Sequence, residues 1–149
     1  MKLIKLYVII IVLMFTSCRG AAQNNSSEKQ VQNMLVDFYS NYIYIWENTP
    51  ISVVYEKLDS LMQENCTSKL RNKAIKTFKE ADADWLTNNL VGSINENLTV
   101  ERDATKENGY IVSFIASNSD ASGNVIKQIV TLHVMVVKER ERYKIADVK

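Results

Sequence analysis

Apolar positions in the first half of the chain recur at helical spacing. They fall three and four residues apart at Val31, Met34, Leu35, Phe38, Tyr42 and Ile45. This pattern predicts a helix with Ser27 as N-cap, in capping-box spacing with Gln30. The helix is predicted to end at Thr49, because the residue before Pro50 is disfavoured in the α conformation.

Two shorter amphipathic helices are predicted to follow. The second begins after Ser52, and the third is capped by Thr67 or Ser68. The outer face of the third helix is basic, with Lys69, Arg71, Lys73, Lys76 and Lys79. Such a run of charge is typical of a solvated helix face.

After the third helix, the spacing of apolar residues changes from helical to alternating. Residues 98–102 alternate apolar and polar, and β-branched side chains dominate three later segments, Tyr110–Ser117, Val125–Lys138 and Tyr143–Val148. Turn signals separate them at 108–109, 122–124 and 139–142. The strand Val125–Lys138 is long and is expected to bend. Helices followed by an antiparallel meander of about four strands predict an α+β fold.

The N-terminus reads as a secretory leader. Lys2 and Lys5 precede an apolar run of ten residues, Leu6 to Phe15, which is too short to cross a hydrocarbon core about 30 Å thick. The run ends in Phe15-Thr16-Ser17-Cys18, which resembles the lipobox of bacterial lipoproteins. The resemblance implies that residues 1–17 are removed and that Cys18 carries the lipid. A plain secretory signal, with Cys18 a free thiol, and an uncleaved anchor remain the alternatives.

The leader sets the expected organisation of the remaining chain. Residues 18–29 are small and polar and predict a flexible tether, and residues 30–149 suit a single domain. If Cys18 is lipidated, Cys66 has no partner for an intramolecular disulfide. We expect a lipid-anchored protein of the bacterial cell envelope. It is expected to face the periplasm, because no acidic cluster that would direct export to the surface precedes Glu28.

Charge excludes some partners. Without the leader the chain carries 16 basic and 17 acidic side chains, so it lacks the basic field that nucleic acid or an anionic membrane surface requires. We therefore expect contact with the membrane through the lipid on Cys18, and no nucleic-acid partner.

The order of elements resembles the nuclear transport factor 2-like fold, which is cystatin-like. The chain is also similar to a family of uncharacterised bacterial lipoproteins with that fold, through residues 36–42 (VDFYSNY), 82–84 (DAD) and 142–148 (RYKIADV). The resemblance implies that a curved sheet wraps around the N-terminal helices as a cone with a pocket. Trp85 stands where the family often has proline, which leaves the shape of that loop open.

His133 is the single histidine and the first catalytic candidate. In enzymes of this fold, Asp or His in the pocket transfers protons, so the resemblance implies that His133 could act as acid or base. It shares a strand face with Ile129, Thr131, Met135 and Val137. An ordinary sheet histidine without catalytic function is the favoured alternative.

Five other residues are candidates for a pocket or a partner surface. Asp82 and Asp84 are paired carboxylates that could bind a cation, although an Asx-turn or an N-cap is the commoner role. Tyr39 and Trp46, seven residues apart, share a helix face that could line a pocket mouth or meet a partner. Core or helix packing is the alternative for these two. Trp85 is the fifth residue of this set.

No motif in the sequence predicts a cofactor. A glycine-rich phosphate loop and a His/Cys ligand cluster are both missing, so we expect neither a nucleotide nor a metal. The tripeptide Asp59-Ser60-Leu61 resembles the O-glycosylation motif of some periplasmic proteins, with an ordinary helix position as the alternative.

Three functions remain open at this point. The favoured one is a non-catalytic binding module that holds a protein or a small ligand in its concave sheet, of which an immunity protein against a toxin is one concrete version. The second is a small-molecule pocket enzyme that uses His133 as acid or base. The third is a structural, dimeric envelope protein, since domains of this fold often pair through the open sheet face.

Overall fold

A computed structural model describes residues 19–81, 84, 86–87, 97–119 and 122–149. The chain divides into two compact units, Met1–Val31 and Gln32–Lys149. The described part of the first unit is helical, and the second unit holds the remaining elements. Cys18, Asp82 and Trp85 lie outside the described residues, so the expectations for them stay predictions.

Three helices precede the sheet. They are α1 (Arg19–Asn48), α2 (Ile51–Asn65) and α3 (Ser68–Ala81). The first begins eight residues before the predicted cap Ser27, so the segment predicted to be a tether is helical from Arg19 onward. Alanine and glutamine in this segment favour helix and no proline interrupts it, whereas a cap is a preference that a continuing helix overrides.

The predicted breaks between the helices are confirmed. The first helix ends at Asn48, two residues before Pro50, and Val54 N–H donates to the Pro50 carbonyl at 3.1 Å to open α2. Thr67 caps α3, because Leu70 N–H donates to its Oγ1 at 3.3 Å. These ends follow from local chemistry, which explains why sequence could place them.

The sheet is an antiparallel meander in the order β1-β2-β3-β4. Its strands are β1 (Thr99–Arg102), β2 (Gly109–Ser119), β3 (Val125–Glu139) and β4 (Arg142–Val148). The predicted α+β class and the four strands are confirmed. The register between β3 and β4 shifts between Met135 and Val136, and such a bulge bends a long strand.

Left-handed backbone marks the predicted turns. Asn108, Gly123 and Arg140 have φ of 58°, 84° and 56°. Gly109 is required for a different reason, because a Cβ there would lie 2.7 Å from Cβ of Lys106. The turn between β1 and β2 is therefore tight, and it brings the residues after β1 close to β3.

The two faces of the sheet differ in burial. Even-numbered residues of β3 from Val130 to Val136 are buried and form the inner face, whereas odd-numbered residues from Ile129 to Val137 form the outer face. Large side chains of the helices and the inner face fill the interior: Leu35, Phe38, Tyr39, Tyr42, Leu58, Met62, Leu70, Phe114, Leu132 and Ile145.

The connection between α2 and α3 ties the helices to the last strand. Thr67 N–H donates to the Ile145 carbonyl at 2.8 Å. Lys144 Nζ donates to the carbonyls of Gln63 and Glu64 at the C-terminal end of α2. A cation at this end of a helix is favourable because unpaired carbonyls make it negative.

Candidate functional site

His133 lies on the outer face of β3. It is opposite Ile111 of β2, and its main-chain N–H and C=O both bond to Lys149, at 2.8 and 3.0 Å. Its side chain is 45% exposed. The imidazole Nδ1 is 3.3 Å from Oδ2 of Asp103, so a carboxylate holds one ring nitrogen.

Asp103 is the residue that follows β1, and it was not identified from the sequence. Its Oδ1 accepts hydrogen bonds from Thr105 N–H at 2.9 Å and from Thr105 Oγ1 at 2.6 Å. Its Oδ2 faces His133 and, at 3.8 Å, Lys106 Nζ. The hydrogen bonds from Thr105, followed by those from His133 and the charge of Lys106, lower the pKa of Asp103 to about 2. Asp103 is therefore a carboxylate anion at neutral pH.

We call Asp103, Thr105, Lys106 and His133 the outer site. It can orient an imidazole and present a charged pair on an open surface. The signal in the sequence was Asp103-Ala104-Thr105 ahead of Asn108-Gly109, an Asx-turn pattern before a tight turn. The pattern predicts the turn, but not that Asp103 reaches a strand thirty residues later.

A second polar group lies in the interior. Tyr42 OH donates to Oδ1 of Asp84 at 2.9 Å, and Leu86 N–H donates to the same oxygen at 2.9 Å. The bond to Leu86, two residues on, is an Asx-turn and confirms the local role favoured for Asp84. Burial raises the pKa of Asp84, against the hydrogen bonds from Thr87, Tyr42 and Leu86, which lower it.

Several buried polar atoms lack a hydrogen bond of good geometry in the described part of the chain: Asp84 Oδ2, Thr87 Oγ1, Tyr39 OH and Trp46 Nε1. We call Tyr39, Tyr42, Asp84 and Thr87 the inner cluster. Burial, then the nearby Cys66 and Asp84, raise the pKa of Tyr39 far above its usual value. The Tyr39 hydroxyl therefore stays neutral.

Cys66 is a buried free thiol beside this cluster. Burial raises its pKa to about 12, although the charge of Lys144 acts in the opposite direction. A thiol with this pKa is protonated at neutral pH and is a poor nucleophile. The structure therefore gives Cys66 a packing role.

Tyr39 and Trp46 take the alternative predicted for them. Tyr39 is fully buried and packs edge-on against Phe38, with ring centroids 5.1 Å apart. Trp46 packs edge-on against Tyr55 of α2 at 5.9 Å and Phe78 of α3 at 6.4 Å. Both side chains therefore serve packing. The helix face that could have met a partner is covered at Trp46 by α2 and α3.

The sequence candidates do not converge on one site. His133 lies on the outer face of the sheet, whereas Tyr39 and Asp84 lie in the interior. A cavity of about 490 Å³ opens between α2 and α3, with Tyr55, Asp59 and Phe78 in its lining. Arg71 of α3 holds Asp59 through two hydrogen bonds of 2.7 and 2.6 Å. The lining of this cavity includes neither His133 nor Asp84.

The described residues contain no group of three His, Cys, Asp or Glu side chains placed to hold a metal ion. Within those same residues, no helix is long and apolar enough to cross a membrane.

Comparison with known proteins reveals similarity in fold. No protein-family model and no curated protein matches this chain. A crystal structure of a protein of unknown function from Bacteroides thetaiotaomicron VPI-5482 superposes with a TM-score of 0.71. The similarity covers 87% of this chain and 95% of that one, at 24% sequence identity. This similarity supports the α+β fold and carries no activity with it.

Proposed function

We propose that this chain is a lipid-anchored protein of the bacterial cell envelope whose domain is a non-catalytic binding module for a protein partner. The anchor rests on the leader and on Cys18 in the sequence. A toxin-immunity role is one concrete form of the binding function. The resemblance to nuclear transport factor 2-like lipoproteins belongs to the same proposal.

The contrast between the two faces of the sheet supports a binding surface. Phe38, Tyr42 and Phe114 fill the interior beneath the inner face. The outer face, in contrast, presents Ile129 and Val137 among the exposed large apolar side chains. Thr131 and His133 lie between these two apolar side chains, and such a mixture of apolar and polar groups has the composition of a non-obligate interface.

The pair of His133 and Asp103 favours the enzyme alternative. A carboxylate 3.3 Å from Nδ1 fixes the imidazole as an acid–base catalyst requires. However, His133 lies on the open face and is nearly half exposed. Proton transfer to a bound small molecule normally needs a site from which water is excluded, so this alternative ranks second.

Site-specific photo-crosslinking in intact cells tests the binding surface. A photoreactive residue at Val137, on the outer face, is expected to give one discrete adduct with another protein. The same residue at Tyr44, an exposed position on α1, is the matched control and is expected to give none. Equal adducts at both positions, or none at Val137, would refute binding through the outer face.

Replacement of the lipidation cysteine tests the anchor separately. The wild-type chain is expected in the membrane fraction and to incorporate labelled palmitate. Cys18→Ser is expected to lose the label and to leave that fraction. Retention of label by the variant would show that Cys18 is not the attachment site.

A further inference from the structure

Within the described part of the chain, about half of β3 is paired on one side only. Strand β4 pairs with β3 from Val134 to Glu139, and His133 bonds to Lys149 just beyond. Residues 125–131 pair with β2 on one side. On the other side, no strand in the described part of the chain pairs with them.

The hydrogen bonds of His133 identify the groups that face this edge. Its N–H and C=O both point to Lys149, on the β4 side. Main-chain groups alternate in direction along a strand. Val125, Lys127, Ile129 and Thr131 therefore direct their N–H and C=O groups to the open edge.

The side chains of this edge are exposed and carry little charge. Ile129 is 72% exposed, and Val125 and Ile126 are also open to solvent. Lys127 carries the single charge within 125–131. An exposed edge with apolar side chains is a template for pairing with another strand.

We propose that this edge pairs with the same edge of a second copy of the chain, antiparallel, about a two-fold axis at Gln128. Val125 then pairs with the partner's Thr131, and Lys127 with the partner's Ile129. All four outward-facing residues are used, and four pairs that each exchange two bonds give about eight main-chain hydrogen bonds. The two four-stranded sheets become one continuous sheet.

Charge and length favour this register over its neighbours. With the axis at Gln128, each Lys127 lies opposite an isoleucine. An axis at Lys127 would place two ammonium groups opposite each other and lose one pair. An axis at Ile129 also loses one pair. The residues of β3 that pair on one side only run from Val125 to Thr131, and Gln128 is their midpoint.

Self-complementarity also favours a second copy over an unrelated strand. Gln128 meets the partner's Gln128 at a non-hydrogen-bonded position, where Cα atoms are about 4.5 Å apart and side chains are closest. An amide both donates and accepts, so two glutamines can satisfy each other. This pairing goes beyond the proposed binding function, because it is made by main-chain groups along the strand edge and not by side chains of the outer face.

Cysteine crosslinking of the full chain tests the register. Gln128→Cys is expected to form a disulfide-linked dimer on mild oxidation, because Cα atoms about 4.5 Å apart lie within the range of about 4.4–6.8 Å that a disulfide needs. Thr131→Cys is the matched control on the same strand. Its two copies would lie six positions apart, about 20 Å at ~3.4 Å per residue, so it should crosslink about tenfold less.

The double variant Val125→Cys/Thr131→Cys is expected to restore crosslinking, because these positions face each other across the axis. The unsubstituted chain sets the background from its own cysteines. Equal crosslinking at positions 128 and 131 would indicate random collision and would overturn the proposal. A Gln128→Cys chain that stays monomeric by both electrophoresis and sedimentation would also overturn it.

A charge substitution provides a second readout that does not depend on oxidation. Ile129→Lys would place an ammonium opposite the partner's Lys127 and is expected to convert the dimer to monomer in sedimentation. Ile51→Lys, at a position on α2 that is 69% exposed, is the matched control and should stay dimeric. Circular dichroism checks that both variants fold. A folded Ile129→Lys chain that remains a dimer would contradict pairing through this edge.

Discussion

Asp84 and Asp103 are covered to almost the same extent, yet the fold shifts their pKa values in opposite directions. Their exposed fractions are 5% and 4%. Burial raises the pKa of Asp84, whereas the surroundings of Asp103 lower its pKa to about 2. The exposed fraction of a residue therefore does not by itself decide which of these two carboxyl groups ionises readily.

The depth of each carboxylate explains the difference. Asp84 lies in the interior, where burial has the largest influence on its pKa and outweighs the hydrogen bonds from Thr87, Tyr42 and Leu86 that lower it. Asp103 has both oxygens engaged, by Thr105 on one side and by His133 and Lys106 on the other. Asp103 lies beside the exposed turn after β1, where burial has a smaller influence on its pKa than the hydrogen bonds from Thr105, so the donors and the nearby cation prevail.

The largest expected effect comes from removing the acceptor in the inner cluster. Asp84→Ala leaves Tyr42 OH and Leu86 N–H without a partner, and each buried unsatisfied group costs about 1–3 kcal/mol. We expect the free energy of unfolding to fall by about 2–4 kcal/mol in urea denaturation followed by circular dichroism. Asp84→Asn keeps an acceptor oxygen and should change it by less than about 1 kcal/mol. Equal losses in the two variants would mean that the hydrogen bonds contribute little.

A smaller loss of free energy of unfolding is expected when the aspartate of the outer site is replaced by alanine. Asp103→Ala removes the acceptor for Thr105, His133 and Lys106, but these donors lie at the surface and can bond to water instead. In the same denaturation measurement, Asp103→Ala should therefore destabilise the domain less than Asp84→Ala. A larger loss for Asp103→Ala would show that the turn after β1 matters more for stability than the interior does.

The pH dependence of stability should separate the two carboxylates by sign. The pKa of Asp103 is lowered from 3.8 to about 2, so its contribution is fully present above about pH 4 and is lost as the pH falls towards 2. The cost of Asp103→Asn should shrink over that range. The raised pKa of Asp84 acts oppositely, because its contribution is present at low pH and is lost as the pH rises above about 4.

Asp84→Asn should therefore gain stability relative to wild type as the pH rises. Thermal unfolding of wild type and both variants between about pH 2 and 7 measures this. Parallel curves for the two variants would contradict opposite pKa shifts.

The smallest expected effect separates the two kinds of donor at Asp103. Thr105→Val removes the hydroxyl bond of 2.6 Å and should raise the pKa of Asp103 clearly. Lys106→Met removes a partly exposed charge at 3.8 Å and should raise it only slightly. NMR titration of the Asp103 carboxyl carbon measures both. A rise in Lys106→Met as large as in Thr105→Val would mean that charge outweighs hydrogen bonding here.

The contrast between these carboxylates also shows which part of the site could be predicted. The Asx-turn of Asp84 was predicted, because its partner Leu86 is two residues away. The pairing of Asp103 with His133 spans thirty residues and depends on the register of β2 with β3. No local pattern encodes that register, so Asp103 was missed although its own turn had a recognisable sequence.

The helices show the same division. The ends at Pro50 and Thr67 were predicted from backbone sterics and from a cap. The start of α1 was predicted too late, because a favourable cap at Ser27 does not end a helix whose preceding residues also favour it. The burial of Tyr39 depends on the elements packed around α1, which the spacing of its own residues does not reveal.

By itself, the sequence determined the helical and alternating spacing of its apolar residues and the positions of its turns. These two features determined the α+β class with its four strands. These follow from sterics and hydrophobic pattern over a few residues. The tertiary structure decided which carboxylate carries its charge readily, that His133 faces outward beside Asp103, and that residues 125–131 of β3 pair with β2 alone among the described strands. Those properties depend on contacts between distant segments, because a pKa and a free strand edge are set by what the rest of the fold places beside them.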